Sequence, residues 1–94
     1  MRFEWDERKA ASNIKKHEVE FSEAVTVFYD TLAQEFDDET HSRDERREII
    51  IGHSMQHRLL IVAFVERQAG VVRILSARCA TRRERKQYEE AYKN

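Results

Sequence analysis

Proline is missing from all 94 residues, cysteine occurs once, at Cys79, and glycine twice, at Gly52 and Gly70. A lone cysteine cannot form an intramolecular disulfide, so the chain is not built for an oxidising compartment. Two isolated glycines cannot make the glycine-rich loop that cradles a nucleotide phosphate. No apolar run reaches the roughly 18 residues of a membrane span, and the first residues lack the cationic and apolar blocks of a signal peptide. A cytoplasmic address and no membrane partner are therefore expected. Repeats and low-complexity segments are missing too, which leaves room for one domain over residues 1–94. A chain this short buries only about 60 to 65 per cent of its unfolded surface, so a large internal ligand cavity is not expected.

What is present is charge, at 37 per cent of residues against 40 per cent apolar, the balance of a globular domain with a heavily solvated exterior. The net charge of -1 hides a partition along the chain. Residues 1–17 sum to +2, residues 18–45 to -9 and residues 46–94 to +6. A basic second half is the footprint of a surface that meets phosphates, while the acidic middle would attract a cationic partner; solvated faces would read the same way.

Phe3 to Trp5 is a short apolar strand, and Asp6 can cap a helix over residues 6–17. Ser22 can cap a second helix to residue 30, with Ala24, Val27 and Phe28 on one face. Thr31 to Phe36 can form a strand, and Asp37 to Glu45 is polar enough to be a loop. Three apolar strands follow, at residues 47–53, 58–67 and 71–78, separated by turn segments Ser54 to His57 and Gln68 to Gly70. Their near-continuous apolar character implies a sheet covered on both faces. The helical hairpin covers one; the C-terminal helix, a second chain or a bound partner must cover the other. Thr81 and Glu84 have capping-box spacing, but only Tyr88, Ala91 and Tyr92 give the helix after them an apolar stripe. The expected class is α+β, in the order βααββββα, with an antiparallel sheet flanked by the N-terminal hairpin and the C-terminal helix.

Spaced elements at both ends of the chain resemble the BrnT family, the toxin half of a bacterial type II toxin-antitoxin pair. They are Trp5-Asp6, Lys9, Asn13, Lys16-His17 and Phe21-x-Glu23-Ala24, then Ser76-Ala77-Arg78, Ala80-Thr81-Arg82-Arg83-Glu84-Arg85 and Tyr88. The resemblance spans nearly the whole chain. It implies a RelE-like ribonuclease that halts translation and is neutralised by a ribbon-helix-helix antitoxin, with DNA met only through that antitoxin. It also implies that Arg78 and Tyr88 belong to the active site. A non-catalytic subunit that docks on the antitoxin and tunes a DNA-bound repressor is the alternative.

The turns suggest a strand register. With Gly70 in the left-handed position of a three-residue hairpin, Arg67 pairs with Val71, Glu66 with Val72 and Leu60 with Arg78. A four-residue loop from Ser54 to His57 pairs His53 with Arg58 and Ile51 with Leu60. Side chains alternate along a strand, so His53, Arg58 and Arg78 are expected on one face at one end of the sheet.

Metal-free RNA cleavage needs a base, an acid for the departing 5′-oxygen and cations for charge building on the phosphate. Histidine moves protons near neutrality, and the planar arginine fork meets two phosphate oxygens. His53, Arg78 and Tyr88 are thus the catalytic candidates, and Arg58, Arg73, Arg82 and Arg83 the candidate RNA contacts, with no metal and no cofactor. Structural readings stand beside these: a carboxylate of the acidic middle can hold Arg78, and Lys9, Lys16 and His17 can be a second contact surface or an exposed helix face. Glu66 lies too far along its strand to share a phosphate with Arg78 and is expected to pair with Arg67 or Arg73. His53-x-x-x-His57 has metal-like spacing, but a turn intervenes and no further ligand completes a zinc site. Cys79 reads as a buried, inert thiol.

Overall fold

In the computed structural model, which describes residues 1–39 and 45–92, the apolar runs form the middle of a five-stranded sheet. The elements are β1 (Arg2–Glu4), α1 (Glu7–His17), α2 (Phe21–Thr26) prolonged by a 3-10 turn (Val27–Tyr29), β2 (Gln34–Asp37), β3 (Arg47–His53), β4 (Leu59–Gln68), β5 (Val71–Cys79) and α3 (Arg82–Glu90). The α+β class and the element order are as expected. The sheet order is β1-β5-β4-β3-β2, antiparallel except for β1, which runs parallel to β5. Sequence periodicity reports a strand but not which distant neighbour it joins, and β1 joins the last strand through Phe3 opposite Val72. Of the expected loop from Asp37 to Glu45, Asp37 closes β2 and residues 40–44 lie outside those described. Among the described residues no helix is long and apolar enough to cross a membrane.

Helix starts follow local chemistry in two cases out of three. Asp6 accepts from the backbone N–H of Arg8 at 2.8 Å and of Lys9 at 3.3 Å, and Thr81 and Glu84 form the reciprocal capping box. Ser22 is not a cap. α2 begins at Phe21, behind a Glu20 that makes no side-chain cap bond, because burying Phe21 draws the first turn two residues earlier than a serine cap would set it.

The two sheet faces are covered unequally. Val19, Phe21, Ala24 and Val27 of the hairpin pack on Ile50, Leu60, Val62, Phe64, Val72, Ile74 and Ala77, which makes the main core. On the other face α3 contributes Tyr88 to a small cluster with Ile51 and Leu59. Burying one Val, Leu or Ile side chain contributes about 1.5 to 3 kcal/mol, so most of the hydrophobic stabilisation lies on the hairpin side.

α1 closes the open edge of β5 with a side chain. Asn13 is buried; its amide donates to the carbonyls of Val19 (2.9 Å) and Ala77 (2.7 Å) and accepts from the Ala77 N–H at 3.0 Å. It thus substitutes for a neighbouring strand where β1 has ended. Asn13→Ala leaves those backbone groups unpaired and should lower unfolding free energy by about 2 to 4 kcal/mol in urea titration. Lys15→Ala, exposed on the same helix, should change it by less than about 0.5 kcal/mol.

Candidate active site

The β3–β4 turn decides which side chains share a face. Ser54 N–H donates to the Arg58 carbonyl and His57 N–H to the Ser54 carbonyl, both at 2.9 Å, so the loop is Met55 to His57, with His57 left-handed at φ 64°. A histidine fills the position where the sequence offers no glycine. His53 therefore sits opposite Leu59 and Ile51 opposite Ile61, one residue away from the expected register. β5 carries its own irregularity at Leu75, which places Arg78 opposite Ile61 in place of Leu60. The two slips cancel for His53 and Arg78, which share a face, and do not cancel for Arg58, which moves to the other.

On the α3 side the sheet presents successive rows: His53 and Leu59, then Gln34, Ile51, Ile61 and Arg78, then Phe36, Ile49, Ala63 and Ser76. A cavity of about 300 Å³ opens between these rows and α3, lined by Phe36, Ile49, Ile61, Arg78, Glu84 and Tyr88 among others. His53 packs edge-on against Tyr88, with ring centroids 5.6 Å apart. Its backbone N–H donates to Asp30 at 2.8 Å, and Nδ1 lies 3.9 Å from the same oxygen. Gly52 permits this approach, since a Cβ there would stand 2.9 Å from Ala33 and 3.0 Å from the Asp30 carboxylate. Burial, then the Asp30 charge, pushes the Tyr88 phenol up to about 12. Tyr88 thus stays protonated near neutrality, so it can position or donate but not act as a base.

Arg78 is held by Glu84 through two parallel bonds of 2.8 Å, and its Nη1 also reaches the Cys79 carbonyl at 3.3 Å. A carboxylate does hold Arg78, as one reading expected, but it comes from the first turn of α3 and not from the acidic middle. Hydrogen bonding to Arg78 brings the Glu84 carboxyl down to about 2, against the opposing effect of burial. Glu84 and Tyr88 stand one helical turn apart, so α3 binds the arginine with one turn and the histidine with the next. Sheet spacings put the His53 and Arg78 Cα atoms about 12 Å apart, a gap that an extended arginine and a phosphodiester can fill.

Several expectations are corrected. Arg58 faces the hairpin, where its Nε and Nη2 bond the buried Glu23 at 3.0 and 2.5 Å and Nη2 also bonds the Glu18 carbonyl. The three-way corner of His53, Arg58 and Arg78 therefore does not form. Arg73 is on the α3 face but pairs with Glu4 at 2.9 Å, roughly 16 Å along the strand from Arg78. Arg82 and Arg83 are exposed in the first turn of α3. Glu66 accepts from the Gly70 N–H at 3.2 Å while Arg67 pairs with Glu45. Cys79 is exposed. Asp30 was not singled out in the sequence, and no local signal marks it, because its partner His53 is 23 residues away.

A mixed sheet between a helical hairpin and one terminal helix, with a groove that Arg78 lines between sheet and helix, defines a small α+β protein. The family model for the ribonuclease toxin BrnT of type II toxin-antitoxin systems matches residues 5–84, and the chain belongs to that family. Among solved structures, the 1.1 Å crystal structure of the Brucella abortus ribonuclease toxin BrnT matches with a TM-score of 0.68 at 24% identity, covering 87% of this chain and 99% of that one. At that identity the likeness concerns the fold. No curated protein matches the chain at a significant level.

The Glu84 carboxyl gives the site an acid-sensitive brace. Its pKa in the folded protein is depressed, so its contribution is fully present above the ordinary value of 4.5 and is lost as pH falls toward about 2. Unfolding free energy measured against pH should therefore fall less steeply between those limits in Glu84→Gln than in the wild type. Because the pair is partly solvated, the difference should be about 1 kcal/mol.

Proposed function

We propose that this toxin cleaves RNA, inhibiting translation, by metal-independent attack of a ribose 2′-hydroxyl on the adjacent phosphorus. The observation that carries this reading is that His53 and Arg78 share the sheet face on which α3 packs, with Tyr88 against His53 and Arg78 and Tyr88 lining an open groove. His53 carries the proton, Arg78 stabilises charge building on the phosphate oxygens, and Tyr88 holds the imidazole by its ring edge. Arg82 and Arg83, exposed at the same end of α3, meet flanking phosphates. Arg58 has no part in contacting RNA. Residues 1–94 act as one toxin domain in the cytoplasm.

The neutralising partner is a ribbon-helix-helix antitoxin, which also makes the only link to DNA. What supports a protein partner is the apolar surface beside α3, where Leu32, Phe36 and Tyr92 are each about half exposed.

Purified protein incubated with RNA in EDTA should leave 2′,3′-cyclic phosphate ends. His53→Ala should slow cleavage by about 100-fold to 10,000-fold and Arg78→Ala by about 100-fold to 1,000-fold. Unchanged rates in both variants would refute the site; no cleavage by the wild type would favour the non-catalytic antitoxin-binding subunit. Expression without the antitoxin should arrest growth.

A further inference from the structure

α1 packs Ala10 on the core and carries a polar stripe beside that contact. Lys9, Ser12, Asn13, Lys16 and His17 follow the spacing i, i+3, i+4, i+7, i+8, which in a packed helix is the apolar stripe. Here the stripe is polar and cationic. Only Asn13 is buried, and its bonds to Ala77 and Val19 account for it. The other four surround a cleft of about 170 Å³ whose far wall is Leu75 and Ser76 of β5.

Arg46, Arg58, Arg67, Arg73 and Arg78 each have a carboxylate within ion-pairing distance. Among the described residues, neither Lys9 nor Lys16 has one. The helix dipole favours Lys16 and His17 in the last turn but disfavours Lys9 in the first. Ser76, in the cleft wall, lies two residues from Arg78 on the same sheet face, about 7 Å along the strand. That distance is of the order of the step between neighbouring phosphates in a polynucleotide.

We infer that the α1–β5 cleft is a second phosphate site, in which Lys9 and Lys16, with the Ser12 and Ser76 hydroxyls and His17, hold the sugar-phosphate backbone of single-stranded RNA next to the bond cut beside Arg78. The inference rests on the proposed ribonuclease activity and adds a subsite to it. Ammonium groups are compact point charges that suit phosphate oxygens in several orientations, so the site grips backbone without selecting a base.

The test uses a labelled 2′-O-methyl oligoribonucleotide, which lacks the attacking hydroxyl and stays intact. Its affinity for the full chain is followed by fluorescence anisotropy between about 50 and 200 mM salt. Lys9→Ala/Lys16→Ala should weaken binding about tenfold and reduce the slope of log affinity against log salt by about 1.4, the value for two lost contacts to a single strand. Arg8→Ala/Lys15→Ala removes the same charge outside the cleft and should leave the slope nearly unchanged. Equal losses in the two pairs would reduce the effect to net charge and overturn the subsite. So would unaltered binding in the cleft variant, or a loss of affinity for the antitoxin with RNA binding retained. Wild-type protein that binds no RNA would overturn both the subsite and the proposed activity, whereas wild-type binding with an indifferent cleft variant would overturn the subsite alone.

Discussion

The ion pair between Arg58 and Glu23 fixes which way the central strands face. Glu23 is 4% exposed and receives bonds from Arg58 Nε and Nη2 and from the Ser54 hydroxyl at 2.7 Å. Those bonds, the one from Arg58 foremost, hold its carboxyl below the ordinary range against the opposing effect of burial. A carboxylate placed there without its partner would cost several kcal/mol, so Arg58 must point toward the hairpin. Alternation then turns Leu59 to the α3 face, and with it Ile61, which lies opposite Arg78. The apolar run from Leu59 to Val65 could not make that choice alone, because both of its faces are apolar and a slip by one residue would still bury hydrophobic surface.

This is why the fold was more legible than the site. The three central strands, the Asp6 cap and the Thr81–Glu84 capping box rest on local patterns and appear close to where those patterns put them, while the second helix is shorter and β2 starts later than expected. Register depends on a left-handed His57, which no turn rule singles out, and on the irregularity at Leu75. His53 and Arg78 share a face because two one-residue slips offset one another, and Arg58 shows what a single uncompensated slip does. Pairings between distant residues, Glu23 with Arg58 and Asp30 with His53, carry no local signature at all.

The cations divide by role. Arginines of the sheet and its turns are bound by carboxylates of the fold: Arg58 locks a turn, Arg73 staples β1 to β5, and Arg78 is oriented by the helix it precedes. Of these only Arg78 opens onto the groove. Lys9 and Lys16 of α1 are left without such partners among the described residues, beside the α1–β5 cleft. α3 gives the groove its wall with little apolar area of its own, since Tyr88 is its one buried residue. Tyr92 adds a hydrogen bond to the Leu32 carbonyl that ties the helix end to the chain before β2.

On this account the α3 face meets RNA, while Arg58 and Glu23, on the opposite face of the sheet, serve the fold. Side-chain and amide NMR shifts followed during titration with an uncleavable RNA test it directly. Changes clustered at His53, Ser76, Arg78 and Tyr88, with Glu23, Ser54 and Arg58 unmoved, are the predicted result. Shifts centred on Arg58 and its neighbours, with His53 and Arg78 silent, would contradict it.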